Sequence, residues 1–385
     1  MFSFLLLIIY ICFISLGLPD SLLGSAWPTI YQDFNVPVSY AGFVSVTVAA
    51  GTIFSSLASD KLTKKFSPGL VTVVSIIMTA GALLGFALST KFWMLILFAI
   101  PYGLGAGGVD ACLNNYVALH YESKHMSWLH CMWGLGTIIS PYIMGLALTV
   151  GSGWNNGYLI VSIIQFTLAM FVFLTLPKWK KRTDEKEEIT EVSKSLSIKE
   201  IISIPGAITC FVLFFCYCAL EQTAMLWASS FLVLNNGIHE EIAAMLASLF
   251  CIGITLGRAI NGFLTLRFSD KQLIRMGLSI IFIGIVLLFI PTNITNIIGF
   301  ILIGLGCAPI YPCIIHSTPT LFGREKSQAM IGVQMACAYL GILIIPPVFG
   351  IIANNISIKL LPIYLLLILI LGITMNELTN KKTTK

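Results

Sequence analysis

The chain has 385 residues, of which 57% are hydrophobic and only 10% charged, with a formal net charge of +5 and a mean hydropathy of +0.93. Soluble domains carry about 25% charged residues, so this composition excludes an ordinary soluble domain and implies a polytopic membrane protein. The basic residues cluster in short segments beside apolar runs, which argues for the lipid bilayer and against nucleic acid as a partner.

A membrane span needs about 20 mostly apolar residues. Twelve candidates follow one another at 4–30, 38–58, 70–90, 93–119, 127–151, 155–177, 204–233, 241–262, 272–291, 295–317, 328–352 and 358–376. The first run extends well past a signal-peptide core of about 7–15 residues and has no Lys or Arg before it, so it reads as a span. A mixed-charge stretch separates spans six and seven. The expected organisation is an N-terminal six-helix bundle (1–177), a cytoplasmic linker (178–203) and a C-terminal six-helix bundle (204–385).

The Lys and Arg positions predict the orientation. With both termini and the linker in the cytoplasm, only Lys91 and Lys359 of the 22 Lys and Arg residues fall on the far side, as the positive-inside tendency requires. The expected location is the cell membrane. The ten cysteines lie mostly within spans and form no CxxC pair, so they read as small packing residues.

The two halves share a weak internal repeat. Shifted by 201 residues, Asp20 falls on Glu221, Gly103-Leu104-Gly105 on Gly304-Leu305-Gly306, and Cys112 on Cys313. Ser140-Pro141 and Ile345-Pro346 match after a few residues of drift. Parallel repeats of this kind predict an all-α architecture, two six-helix halves around a central cavity.

Three acids lie inside spans: Asp20, Asp110 and Glu221. A charged side chain at mid-bilayer costs about 3 kcal/mol or more, so an ionisable residue there points to function. A carboxyl group held out of water can accept a proton from one side and release it on the other, and the proton is the coupling ion expected here, with no other cofactor and no metal. Near these acids stand Asn114, Asn115, His130, Gln222, His316 and Gln334, able to hydrogen-bond hydroxyl groups. The aromatic residues Trp27, Trp227 and Tyr311 are suited to covering the apolar face of a ring. Buried Asn, Gln and His also serve as glue between helices, and for His130, His316 and Gln334 singly the two readings stand level. Small residues at 103 and 107 allow close helix approach, and prolines within spans suggest hinges.

The segment "S-S-L-A-S-D-K-L-T-K-K", residues 55–65, resembles the signature loop of the major facilitator superfamily. Asp60, Lys61, Lys64 and Lys65 match, and Ser56 and Thr63 replace the family's glycines. A degenerate second copy, "G-F-L-T-L-R-F-S-D-K" at 262–271, follows the eighth span. The resemblance implies the superfamily fold and a conformational latch, to which Asp60, Lys61, Lys64, Lys65, Arg258 and Arg267 are assigned. A narrower resemblance is to the fucose permease-like branch of sugar:proton symporters, carried by "G-L-P-D-S", "G-A-G-G-V-D-A-C-L-N-N", "S-W-L-H-C-M-W-G-L-G-T-I-I-S-P" and "A-L-E-Q-T-A-M-L-W". It implies that Asp110, an Asp where the best-known permease of that branch has Glu, carries the proton and that Asp20 lies beside the solute.

The resulting expectation is a monomeric secondary transporter of a small hydrophilic solute, a sugar or sugar derivative, working by alternating access with proton coupling and having no enzymatic activity. Asp20, Trp27, Asn114, Asn115, His130, Gln222, Trp227, Tyr311, His316 and Gln334 are its candidate solute contacts. Asp110, Asp20 and Glu221 are its candidate proton-coupling groups. A drug or lipophile exporter of the same fold is the first rival, and a transporter-like sensor or multi-span enzyme the second. No nucleophile motif or metal-ligand spacing supports an enzyme.

Overall fold

The computed structural model describes residues 4–37, 40–149, 153–179, 196–238 and 240–383. Most of the expected linker, residues 180–195, lies outside them. Every regular element among the described residues is helical. Among the described residues, eleven helices are long and apolar enough to cross a membrane. The shorter apolar stretch Leu249–Leu264 stands where the eighth span is expected. Large apolar side chains such as Phe54, Leu174 and Leu234 are exposed, which in a helical protein of this composition marks a surface made for lipid. All ten cysteines are free thiols and seven of them are buried.

The chain forms two compact units, one of residues 1–116 and 132–196 and one of residues 117–131 and 197–385. The first unit begins with α1 (Phe4–Gly17) and α2 (Leu22–Asp33), which share the first span but are separated by a single 3-10 turn at Pro19–Ser21. Pro19 causes the break. It has no N–H to give to the carbonyl of residue 15, and its ring crowds that carbonyl. The orphaned Ser15 oxygen is satisfied from another helix, by the side-chain amide of Gln165 at 2.9 Å. Asp20 sits in the turn so created.

α3 (Ala41–Phe66) and α4 (Pro68–Ala87) meet at Ser67, which takes a positive φ of 67° before the proline that opens α4. α5 (Phe92–His120), α6 (Ser123–Thr149) and α7 (Gly153–Leu174) complete the spans of the first half. α4 packs along α7. The last residues of α5 and the first of α6 belong to the second unit.

The second unit continues with the short α8 (Ile198–Ser203), α9 (Ala207–Asn236), α10 (Glu240–Leu264), α11 (Asp270–Leu288), α12 (Asn293–Cys307), α13 (Ile310–Phe322), α14 (Ser327–Asn355) and α15 (Leu361–Thr383). α12 and α13 share one span, interrupted at Ala308–Pro309. α9 packs against α14 and α15, and α12 against α10 and α11.

The glycines of the repeat occupy equivalent places in the two units. A Cβ on Gly103 would strike the Val48 carbonyl of α3, and one on Gly304 the Phe250 carbonyl of α10. Gly136 of α6 lies against the Ile14 carbonyl of α1, just as Gly341 of α14 lies against the Phe215 carbonyl of α9. At each place only the missing side chain lets two helix backbones touch.

Candidate functional site

In the first unit the break in the first span presents Asp20 as an exposed residue. Two neutral donors hold its carboxylate. Tyr102 Oη of α5 donates to Oδ1 at 3.0 Å, and Trp133 Nε1 of α6 donates to Oδ2 at 2.8 Å. Asp110 lies two turns beyond Tyr102 on α5 and is buried, with 6% of its surface exposed. Asn114, one turn on, donates to Asp110 Oδ1 at 2.7 Å and to its backbone carbonyl at 3.0 Å. Asn114 and Asn115 are both buried. Among the described residues, neither Asp20 nor Asp110 has a cation within ion-pair distance. Both carboxylates therefore rest on hydrogen bonds alone, and each would lose its uncompensated charge on taking up a proton.

The third acid is arranged differently. Glu221 of α9 is half-buried, and its Oε1 lies 3.6 Å from Nη2 of the buried Arg258 on α10. The Tyr217 hydroxyl, one turn back on α9, reaches the Glu221 carboxylate and also the Cys307 carbonyl at 3.1 Å. It has one proton and serves one of these acceptors at a time. The pair keeps opposite charges together where solvation is poor. Arg258, assigned to the conformational latch through the family resemblance, faces Glu221 in this structure.

Aromatic rings line the same region of the second unit. Tyr311 of α13 stands 4.8 Å from Phe214 and 6.3 Å from Tyr217, centroid to centroid, and His130 packs edge-on against it at 4.4 Å. The Tyr311 hydroxyl reaches Met335 Sδ at 3.0 Å. Gln222 is half-buried. Tyr102, Trp133 and Tyr217 complete these polar sets and were not among the candidate contacts, because each is tied to its acid through the fold or by a helical turn, not by a motif.

Four further expected contacts are packed against or bonded to other residues of their own unit. Trp27 is buried in the apolar core of the first unit with Leu22, Ala26, Ile30 and Leu95, and packs edge-on against Phe92. Gln334 is fully buried and spends its amide on Thr318, at 3.0 and 3.2 Å, and on Cys210 Sγ at 3.1 Å. It joins α14 to α13 and α9. Trp227 donates to the Pro346 carbonyl at 3.0 Å and packs against Phe349, bracing the double-proline segment of α14. His316 Nδ1 meets Asp270 Oδ2 at 2.6 Å, and its Nε2 lies 3.3 Å from the Tyr121 carbonyl. Ser123 Oγ donates to the other Asp270 oxygen. This cluster ties the α5–α6 junction to α11 and α13.

Of the remaining latch residues, Asp60 is buried and paired with Lys64 one turn later, at 3.1 Å. Lys61 and Lys65 are exposed, with Lys65 over the Phe66 ring at 5.1 Å, and Arg267 is exposed.

The family model of the Major Facilitator Superfamily matches residues 9–235 and 210–379. The glucose/mannose transporter GlcP of Bacillus subtilis is 23% identical over 310 residues, covering 79% of this chain and 77% of its own. The fold resembles that of FucP in the outward conformation, with a TM-score of 0.78 at 14% identity over 97% of this chain and 98% of that one. It also resembles the proton:xylose symporter XylE, with a TM-score of 0.81 at 12% identity over 98% and 95%. The matched proteins are transporters and not enzymes. The chain is an integral membrane protein and belongs to the major facilitator superfamily.

Proposed function

We propose that this transporter moves a small hydrophilic solute, a sugar or sugar derivative, by alternating access coupled to protons. One observation carries the reading. Asp20 and Asp110 are held by neutral donors only, whereas Glu221 is paired with Arg258. A carboxylate without a counter-charge in a span is stable when protonated and costly when not, so its charge can follow the proton gradient. Asp110, buried and backed by Asn114, suits the proton carrier. Asp20, exposed and oriented by Tyr102 and Trp133, suits a contact for solute hydroxyl groups. The aromatic group of Tyr311, Phe214 and Tyr217 would face the apolar side of a ring.

Two of the similar proteins fit this reading, since GlcP carries glucose and mannose by its name and XylE is a proton:xylose symporter, whereas other relatives are named for 4-hydroxybenzoate and sialic acid. The Lys and Arg bias favours cytoplasmic termini, and the cell membrane and a monomer complete the reading.

The experiment is the pH change that solutes induce in lightly buffered vesicles bearing the protein, over sugars, polyols, amino acids and cationic dyes. Proton movement with one sugar class, lost in Asp110→Asn, is expected. A response to dyes alone would replace the reading with an exporter.

A further inference from the structure

The charge state of the solute is legible in the second unit. Among the described residues Arg258 is the one Lys or Arg that is buried. Arginine is the residue best suited to holding a carboxylate, through two parallel hydrogen bonds. Here a carboxylate of the protein already faces it: Glu221 Oε1 lies 3.6 Å from Nη2, with 4% of the Arg258 side chain exposed and 20% of that of Glu221. The groups around this pair, Tyr217, Tyr311, Phe214 and His130, offer ring faces and hydroxyls and no further fixed cation. A solute that brought its own carboxylate to this pair would meet an acid whose nearby cation is already engaged, and like charges in a poorly solvated region repel strongly.

We propose that Glu221 is a specificity-determining residue: by engaging Arg258 it makes the protein select an uncharged solute and reject the carboxylate counterpart of the same size. Resting on the sugar reading above, the pair that separates would be a neutral hexose and its hexuronate. Removing the Glu221 charge alone takes that counter-charge away from Arg258, and the preference shifts toward the acid.

The test is competition binding to the purified full-length protein in lipid nanodiscs. Neutral aldoses are set beside glucuronate, galacturonate, N-acetylneuraminate and 4-hydroxybenzoate, for wild type, Glu221→Gln, Glu221→Asp and the double variant Glu221→Gln with Arg258→Gln. The wild type is expected to bind a neutral sugar at least about tenfold more tightly than its acid, a difference of about 1.4 kcal/mol. Glu221→Gln is expected to close that gap by about tenfold or more, Glu221→Asp to keep it, and the double variant to bring it back, because the gain depends on Arg258. A thermal unfolding curve accompanies each variant. Should Glu221→Gln prove unfolded, the wild-type panel with Glu221→Asp decides. A wild type that binds a carboxylate solute as tightly as its neutral parent overturns the proposal and, where that solute is a sugar acid, leaves the sugar reading standing. Unchanged discrimination in folded Glu221→Gln also overturns it. Binding of an uncharged solute that is not a sugar supports the charge rule and removes the sugar reading.

Discussion

Trp133 donates its indole N–H to Asp20 across 2.8 Å, from the sixth helix to the break in the first span. The bond aims one carboxylate oxygen, and Tyr102 aims the other from α5. Three helices thus fix one exposed acid. A hydrogen bond to a charged group contributes about 1.5–3 kcal/mol, and the exposure of Asp20 places this one at the low end. Trp133→Phe keeps the ring and removes the donor. We expect solute affinity to fall about tenfold, with smaller change for Tyr102→Phe, in equilibrium binding. Unaltered affinity in both variants would detach Asp20 from solute recognition.

Asp110 differs from Asp20 in being buried and in having Asn114 as its side-chain donor. Asp110→Asn preserves shape and removes the titrating proton. We expect proton-driven accumulation to collapse to the equilibrated level while exchange of labelled for unlabelled solute continues. Accumulation that persists in Asp110→Asn vesicles would strip the residue of its coupling role.

Much of this was readable in advance, and the boundary between what was and what was not is physical. Pro19 beside Asp20 breaks the first span, which was expected to run unbroken over 4–30, although proline removes a helical donor wherever it stands. The shared offset of Gly103 and Gly304 marks backbone contacts because only glycine permits them. Side-chain partnerships between helices leave no such local mark. The neighbours of Asp20 stand 82 and 113 residues away, and no spacing rule joins them. The resemblance groups Arg258 with the latch residues, and no local signal shows that packing turns it toward Glu221. Gln334 and Trp227 have the chemistry of ligand contacts, yet the helices around them use that chemistry for themselves. Composition does not distinguish a polar group that faces a solute from one that faces a neighbouring helix.

The repeat predicts matched sensitivities. A methyl group on Gly103 meets the Val48 carbonyl, and one on Gly304 meets the Phe250 carbonyl. Overpacking of this kind costs about 1–3 kcal/mol. Gly103→Ala and Gly304→Ala should lower the thermal unfolding temperature in detergent by comparable amounts. Gly81, within α4, has nothing within 4 Å of a new Cβ, so Gly81→Ala should leave stability unchanged or raise it by up to about 1 kcal/mol through helix propensity. Equal effects at all three positions would contradict the backbone contacts.

His316 was a candidate solute contact, and its two ring nitrogens are both taken, by Asp270 at 2.6 Å and by the Tyr121 carbonyl at 3.3 Å. Asp270 in turn accepts from Ser123. The cluster holds the α5–α6 junction to the start of α11, so its loss should be felt in stability. His316→Gln and Asp270→Asn should each lower the unfolding temperature while solute affinity stays within about twofold, less than a single neutral hydrogen bond contributes. Because the two side chains share one network, the double variant should lose less than the sum of the single losses. Additive losses would mean that the pair does not act as a unit. A drop in solute affinity larger than the drop in stability would return His316 to the binding set.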